Sequence, residues 1–369
     1  MEQKQTEQLK SFIEKLENKD FKMYFFTLDT KGNPTAGIAN IYEHVKILNS
    51  LGYNASILHE KKDYKLHGDE STLGLSDWLG QEYAALPHVS IEGQDLNISP
   101  VDFIVIPEIF ANIMDQVKAF PCRKIVFSQN YDYLLELLPL GKRWNSDFNF
   151  THAITTTTKQ GEYIQTLFPG VRTSVVPVAI PEFFKESSVP KIPLVTLLTR
   201  NQGDATRLVK SFYLQYPVYK FVSFRELRGL PRTEFAEVLG KSCLAVWIDD
   251  SSSFGTFPLE AMQSGTPVIG KIPNMIPEWM ENEDKSLKNN GIWVDNTLVI
   301  PSLIATYLKS WFEDSVPQEL IDGIQASTGN YTNVKQLEVA TNVYANLIEE
   351  RITEFKTMLE KEITEEKQN

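Results

Sequence analysis

Cysteine, histidine, basic charge and long apolar runs are all scarce in this sequence of 369 residues, and each scarcity removes a class of protein. Its two cysteines, Cys122 and Cys243, stand far apart at the edges of apolar runs, which excludes a disulfide-stapled or zinc-ribbon framework and points to a reducing compartment. The five histidines, His44, His59, His67, His88 and His152, fall in no metal-ligand spacing, so no metal site is expected. No window approaches the ~18 uninterrupted apolar residues of a membrane span. The N-terminus lacks the basic-then-apolar build of a secretory signal, and a soluble, cytoplasmic protein is expected. Lys plus Arg number 36 against 48 Asp plus Glu, a net charge of −12, and such a field repels nucleic acid. An anionic ligand would therefore have to be held locally, by a few basic side chains or by backbone amides.

What is present is the composition of a packed globular chain, 42% apolar and 23% charged, at a length that usually divides into two domains. An amphipathic leader carries Leu9, Phe12, Ile13 and Leu16. A buried strand over Lys22 to Leu28, a turn-rich loop ending at Gly37, a helix with Ile38, Ile41, Val45 and Leu48, and a strand at Ala55 to Leu58 make a βαβ unit. After an irregular insertion, Lys61 to Pro100, strands at Asp102 to Ile106, Lys124 to Phe127, His152 to Thr156 and Val171 to Val176 alternate with helices. A proline-bearing linker, Pro177 to Pro193, leads to a second βα series ending near Val294. The pattern is α/β: two Rossmann-like, doubly wound parallel sheets facing a cleft, with ligands at the strand C-termini. The expected boundaries are 1–180, 190–330 and a C-terminal helix over 331–369. In that helix Leu337, Ala340, Tyr344, Ile348, Ile352, Phe355 and Leu359 recur every three or four residues. The helix crosses back to pack on the domains, or protrudes into a self-association seam.

The most specific stretch runs from Ser253 to Gly270, Ser-Phe-Gly-Thr-Phe-Pro-Leu-Glu-Ala-Met-Gln-Ser-Gly-Thr-Pro-Val-Ile-Gly. A strand ending at Ile248, a Ser/Gly loop and a helix opening near Thr256 leave unpaired amides where the helix dipole favours an anion. Glu260 lies one turn inside, with a carboxylate suited to a vicinal diol such as a ribose.

This string resembles the donor-site signature of GT-B glycosyltransferases of the family 4, or group 1, type. That signature reads Glu-Gly-Phe-Gly-x-x-x-Leu-Glu-Ala-Met-Ala-x-Gly-x-Pro-Val-Ile; Phe254, Gly255, Leu259, Glu260, Ala261, Met262, Gly265, Pro267, Val268 and Ile269 match it. The resemblance implies a glycosyltransferase, retaining and independent of metal or other cofactor, that takes a nucleotide-sugar such as a UDP- or GDP-sugar. The implied acceptor is a carbohydrate, a lipid-linked sugar or a protein. Among the implied donor contacts, amides after Gly255 hold the diphosphate, Glu260 binds the ribose, and Ser253, Phe254, Thr256 and Phe257 flank them. Gly255 is expected to need its bare backbone for the diphosphate, so that Gly255→Val folds normally but loses the donor. Arg200 matches the arginine that clamps the diphosphate, and Arg207 stands in for a missing lysine. The stretch Arg225 to Leu230 falls where the nucleotide base lies.

The departures are specific. Ser252 stands where the family has the first glutamate of Glu-x7-Glu, so that either one of the adjacent carboxylates, Asp249 or Asp250, reaches the sugar instead, with Asp250 taken as the candidate, or the donor sugar differs. In the first domain Gly37 is the surviving member of a Gly-Gly loop. Asn130 and Asp132 occupy the place of a catalytic-site histidine, where they are either sugar or acceptor contacts or plain helix caps. Two alternatives remain open on these departures: a nucleotide-sugar-binding subunit without turnover, and a GT-B-like sugar-nucleotide epimerase.

Overall fold

A computed structural model of the chain describes residues 2–28, 35–64, 74–93, 96–199, 201–249, 252 and 254–366. The first domain runs α1 (Glu2–Glu17), β1 (Lys22–Phe26), α2 (Ala36–Ser50), β2 (Asn54–His59), α3 (Leu75–Trp78), α4 (Gln81–Ala84), β3 (His88–Ser90), β4 (Phe103–Pro107), α5 (Ala111–Val117), β5 (Arg123–Ser128), α6 (Tyr131–Glu136), α7 (Trp144–Phe148), β6 (His152–Thr155), α8 (Thr158–Leu167) and β7 (Arg172–Val175). The second runs β8 (Ile192–Leu198), α9 (Gln202–Gln215), β9 (Ser223–Glu226), α10 (Arg232–Lys241), β10 (Ser242–Trp247), α11 (Thr256–Gln263), β11 (Val268–Lys271), β12 (Ile292–Val294), α12 (Ile300–Phe312) and α13 (Gln318–Thr328), before α14 (Asn333–Glu366).

Both sheets are parallel, because every strand is followed by a crossover that returns it to the same end. The first has the order β3-β2-β1-β4-β5-β6-β7 and the second β12-β11-β10-β8-β9. Strands β4, β5, β6 and β10 are buried along their whole length, and β4 and β10 accordingly read in the sequence as near-continuous apolar runs. Each sheet separates two apolar layers. Met23, Phe25, Val105 and Phe127 face one side of the first sheet while Tyr24, Phe26, Ile104 and Val126 face the other. The connection order reverses beside β1 in the first sheet and beside β8 in the second. Ligand crevices in such sheets open at the strand C-termini next to those reversals, so the candidate site is sought at the C-terminal ends of β1, β4, β8 and β10.

The C-terminal helix belongs physically to the first domain. Ala340, Tyr344, Leu347, Ile348, Ile352 and Phe355 of α14 are buried in the same cluster as Phe25, Val45 and Phe127, and α1 packs alongside. The Tyr344 hydroxyl lies 2.7 Å from His44 Nδ1, both fully buried. Arg351 donates to the carbonyls of Pro100 and Pro121, and His152 Nε2 lies 2.7 Å from Glu350. The two passages between domains meet where Ile180 N donates to Tyr331 O at 2.8 Å.

Three parts of the sequence reading change. The stretch expected to be irregular before Pro100 contains α3, α4 and the edge strand β3, whose three residues are too short to show a period. Strand β8 begins at Ile192, so Pro193, assigned to the linker, lies at the start of a strand, where a missing N–H is tolerated. Helices α12 and α13 after Val294 were not anticipated.

Candidate functional site

The loop after β10 is shaped from below. Gly255 has φ +73°, and a Cβ there would lie 3.0 Å from Trp247 Cη2 and 3.1 Å from Trp279 Cζ2. Trp247, Trp279 and Trp293 gather beneath it with ring centroids 5.7 to 6.4 Å apart, and Trp279 Nε1 donates to Phe254 O at 2.6 Å. The glycine is therefore required by its left-handed backbone and by the indole floor. The expectation that Gly255→Val folds normally is corrected: both features lie inside the protein, whatever the ligand does. Ser252 Oγ accepts from Gly255 N at 3.0 Å, a turn-forming role at the position where a carboxylate was missed. As N-cap of α11, Gly255 offers no side chain, so the amides of the first turn at Thr256 and Phe257 have no capping group, and Thr256 lines the cleft.

Glu260 lies one turn along α11, buried, and its Oε1 accepts from Arg232 Nη2 at 2.6 Å. Burial pushes its carboxyl up and the Arg232 guanidinium opposes that rise. Arg232 was not singled out from the sequence. It opens α10, with its guanidinium over the rings of Phe183 and Phe184, 5.9 and 5.5 Å from their centroids.

The facing wall comes from the first domain. Thr35 caps α2 through a bond from Ile38 N, and Gly37 follows in its first turn. The Gln129 side chain donates to Gly37 O at 3.1 Å and would stand 3.3 Å from a Cβ at Gly37, so this glycine admits the glutamine against the helix. Asn40 links Gln129 to Gln336 of α14. Asn130 accepts from Asp132 N at 2.9 Å and is the N-cap of α6. Asp132 Oδ2 is buried and has no hydrogen-bond partner among the described residues.

Beneath Asn130 sits a second residue that the sequence reading passed over. Glu108 directly follows β4, is buried, and accepts from Gln129 N at 3.0 Å and Asn130 N at 2.7 Å. Burial pushes its carboxyl up to about 7, against those two backbone donors. The folded protein thus binds more protons than the unfolded chain between the ordinary value of 4.5 and about 7. Stability must fall as pH rises through that window and level off above it, by on the order of 3 kcal/mol in all. Glu108→Gln, which keeps an acceptor for both amides, is expected to gain on the wild type in urea melts as pH rises from about 5 to about 8. A gap between the two proteins that does not change with pH would refute this reading.

The two walls enclose one cleft. Ala36, Asn40, Glu43 and Tyr83 line it from the first domain, Arg232 and Thr256 from the second, and Val178, Ala179 and Pro181 with Asn333 and Gln336 close the hinge side. Tyr83 donates to Glu43 Oε2 at 2.5 Å. The domains also meet at α8, where Lys159 N donates to Glu278 Oε1 at 3.1 Å and Lys159 Nζ to Ile276 O at 2.8 Å and Glu281 at 2.6 Å. Glu278 precedes Trp279, so the segment that braces the Gly255 loop also touches the first domain.

Of the remaining sequence candidates, Arg200, Asp250 and Ser253 lie outside the described residues. Arg207 is largely exposed on α9 and pairs with Asp204. Phe254 and Phe257 are buried in the second domain, in the apolar layer that holds Trp247 and Trp279. In the stretch Arg225 to Leu230, Arg228 bonds Thr199 O, tying the loop after β9 to the one after β8. His59 and His88, distant in sequence, meet with ring nitrogens 2.8 Å apart and stack with Tyr64. Among the described residues no group of three or more His, Cys, Asp or Glu is gathered as a metal ion would need, and no helix is long and apolar enough to cross a membrane.

No protein-family profile matches the chain. Over 260 residues, 69% of this chain and 73% of the other, it is 26% identical to an alpha-1,6-glucosyltransferase of Actinobacillus pleuropneumoniae serotype 7. Among solved structures it is similar to the pneumococcal O-GlcNAc transferase GtfA in complex with UDP and GlcNAc, with a TM-score of 0.62 at 8% identity, covering 90% of this chain and 99% of that one. Anabaena HepE in complex with UDP-glucose gives 0.59 at 13% identity, covering 88% and 99%. S. aureus TarM, solved with Fondaparinux, alpha-GlcNAc-glycerol and UDP, gives 0.60 at 9%, covering 88% and 99%. The GT-B fold expected from the sequence is the fold of this chain.

Proposed function

We propose that this chain, a GT-B protein of the glycosyltransferase type, transfers a hexosyl group, glucosyl in the first instance, from a UDP-sugar to a hydroxyl of a carbohydrate, lipid-linked or protein acceptor. The observation that carries the reading is the juxtaposition at α11: an uncapped first turn opening on the cleft at Thr256, with the Glu260 carboxylate one turn behind it. The amides suit a diphosphate and the carboxylate suits a ribose diol. A glucosyltransferase relative, and folds solved with UDP or UDP-glucose, favour uridine and glucose over other donors.

In this reading the donor lies on the second domain, with Arg200 and the amides after Gly255 taking the charge that develops on the leaving diphosphate. Asn130 and Asp132, at the start of α6, are in this reading the first-domain candidates for contacts to the sugar and the acceptor. Transfer proceeds with retention and without a divalent cation. Incubation with UDP-glucose, UDP-N-acetylglucosamine, UDP-galactose and GDP-mannose, following nucleotide release with and without EDTA, tests it. Release of UDP from one UDP-sugar, unchanged by EDTA, is the expected result. Abolition by EDTA with rescue by manganese would refute the metal-free step. Donor binding with no release of nucleotide from any member would favour a binding subunit, as the turn-forming Ser252 in place of a carboxylate would then suggest.

A further inference from the structure

Arg232 is oddly placed for a structural cation. It occupies the first position of α10, directly after the N-cap Pro231, where the helix dipole disfavours positive charge. Yet its side chain is only 17% exposed and that of Glu260 only 7%. Taking both charges out of water costs more than their attraction reliably returns, and an apolar pair of similar volume often serves stability as well. Phe183 and Phe184 stack against the guanidinium and fix where it points. Its single hydrogen-bond partner among the described residues is Glu260, through Oε1 alone.

We propose that Arg232 is a positioning residue for nucleotide binding, holding the Glu260 carboxylate ionised and turned so that Oε1 stays with the guanidinium while Oε2 is offered to the ribose diol. The inference rests on the donor reading of Glu260 given above. An ionised carboxylate oxygen has two acceptor sites and takes bonds from both hydroxyls of a vicinal diol, whereas a protonated carboxyl spends one oxygen as a donor. Burial works against the ionised form here, and Arg232 is the group that opposes it. The other titratable groups nearby are placed differently. Tyr83 of α4 feels Arg232 across the cleft but gives its proton to a bond with Glu43 of α2. On α13, which packs against α11, Glu319 and Asp322 bond Asn289 and Gln318. No other described charge is in place to hold Glu260 ionised.

The test is calorimetric titration of UDP into wild type, Arg232→Met, Arg232→Lys and Glu260→Gln from about pH 6 to about pH 8.5. Each variant is expressed as the ratio of its Kd to that of the wild type, which cancels the titration of the diphosphate itself. Arg232→Met is expected to bind about tenfold more weakly at the acid end and to recover most of that loss at the alkaline end, as Glu260 gives up its proton. Arg232→Lys, which keeps the charge, should stay near the wild type throughout. If thermal melts show Arg232→Met to be unfolded, Arg232→Gln, uncharged but able to donate, should give the same pH-dependent ratio. A ratio near one at every pH, or a loss of the same size at every pH, overturns the inference, because Arg232 would then be dispensable or act by shape alone. Wild-type affinity in Glu260→Gln would instead overturn the donor reading itself, and this inference with it.

Discussion

Gly255→Val is expected to lower the melting temperature of the protein by roughly 5 to 15 °C. A β-branched residue forced into the left-handed region costs about 1 to 2 kcal/mol, and overpacking a filled core adds about 1 to 3. Each kcal/mol moves the midpoint of a domain of this size by about 2 to 4 °C. The overpacking arises because a Cβ at this position meets the edges of Trp247 and Trp279, which are almost wholly buried and have no room to turn. Scanning calorimetry on the variant checks the estimate, and an unchanged midpoint would show that the loop sits differently from the arrangement described. The physical consequence is that loss of donor binding in this variant cannot by itself locate the diphosphate.

That outcome marks where the sequence was readable and where it was not. The two parallel sheets were legible because buried parallel strands such as Phe103–Pro107 and Ser242–Trp247 are continuous apolar runs between helices with a three-to-four repeat. The string around Gly255 and Glu260 was legible because a loop and helix close in sequence make one structural unit. What escaped was whatever depends on residues far apart in the chain. Arg232 meets Glu260 across 28 positions, and Glu108 meets Asn130 across 22. Trp279 braces Phe254 from 25 positions away, which is why the glycine beside it read as a ligand requirement. The helices after Val294 escaped for a different reason. Their apolar faces close over a core formed by other elements, as Ile304 and Leu308 do against Val195 and Phe212, so they carry no motif of their own.

Glu260→Gln is expected to weaken UDP binding by roughly one to two orders of magnitude. A charge-assisted bond to a hydroxyl contributes about 1.5 to 3 kcal/mol, and each 1.4 kcal/mol is tenfold. Glutamine preserves the volume of the side chain and an acceptor for Arg232, so the fold should survive. Alanine would leave the Arg232 guanidinium in a buried site without a partner and cost about 3 to 5 kcal/mol of stability. The comparison has to be made with glutamine for that reason.

Loss of affinity alone does not say which part of the ligand was lost. The measurement that does is calorimetric titration of UDP and of 2′-deoxy-UDP into wild type and Glu260→Gln under one set of conditions. If the stretch from Phe254 to Glu260 holds a sugar nucleotide with its ribose on Glu260, the wild type prefers UDP over the deoxy form by roughly tenfold or more, and the variant binds the two nearly alike. Equal discrimination in both proteins would contradict the account, because the hydroxyls of the ribose would then be recognised by something other than Glu260.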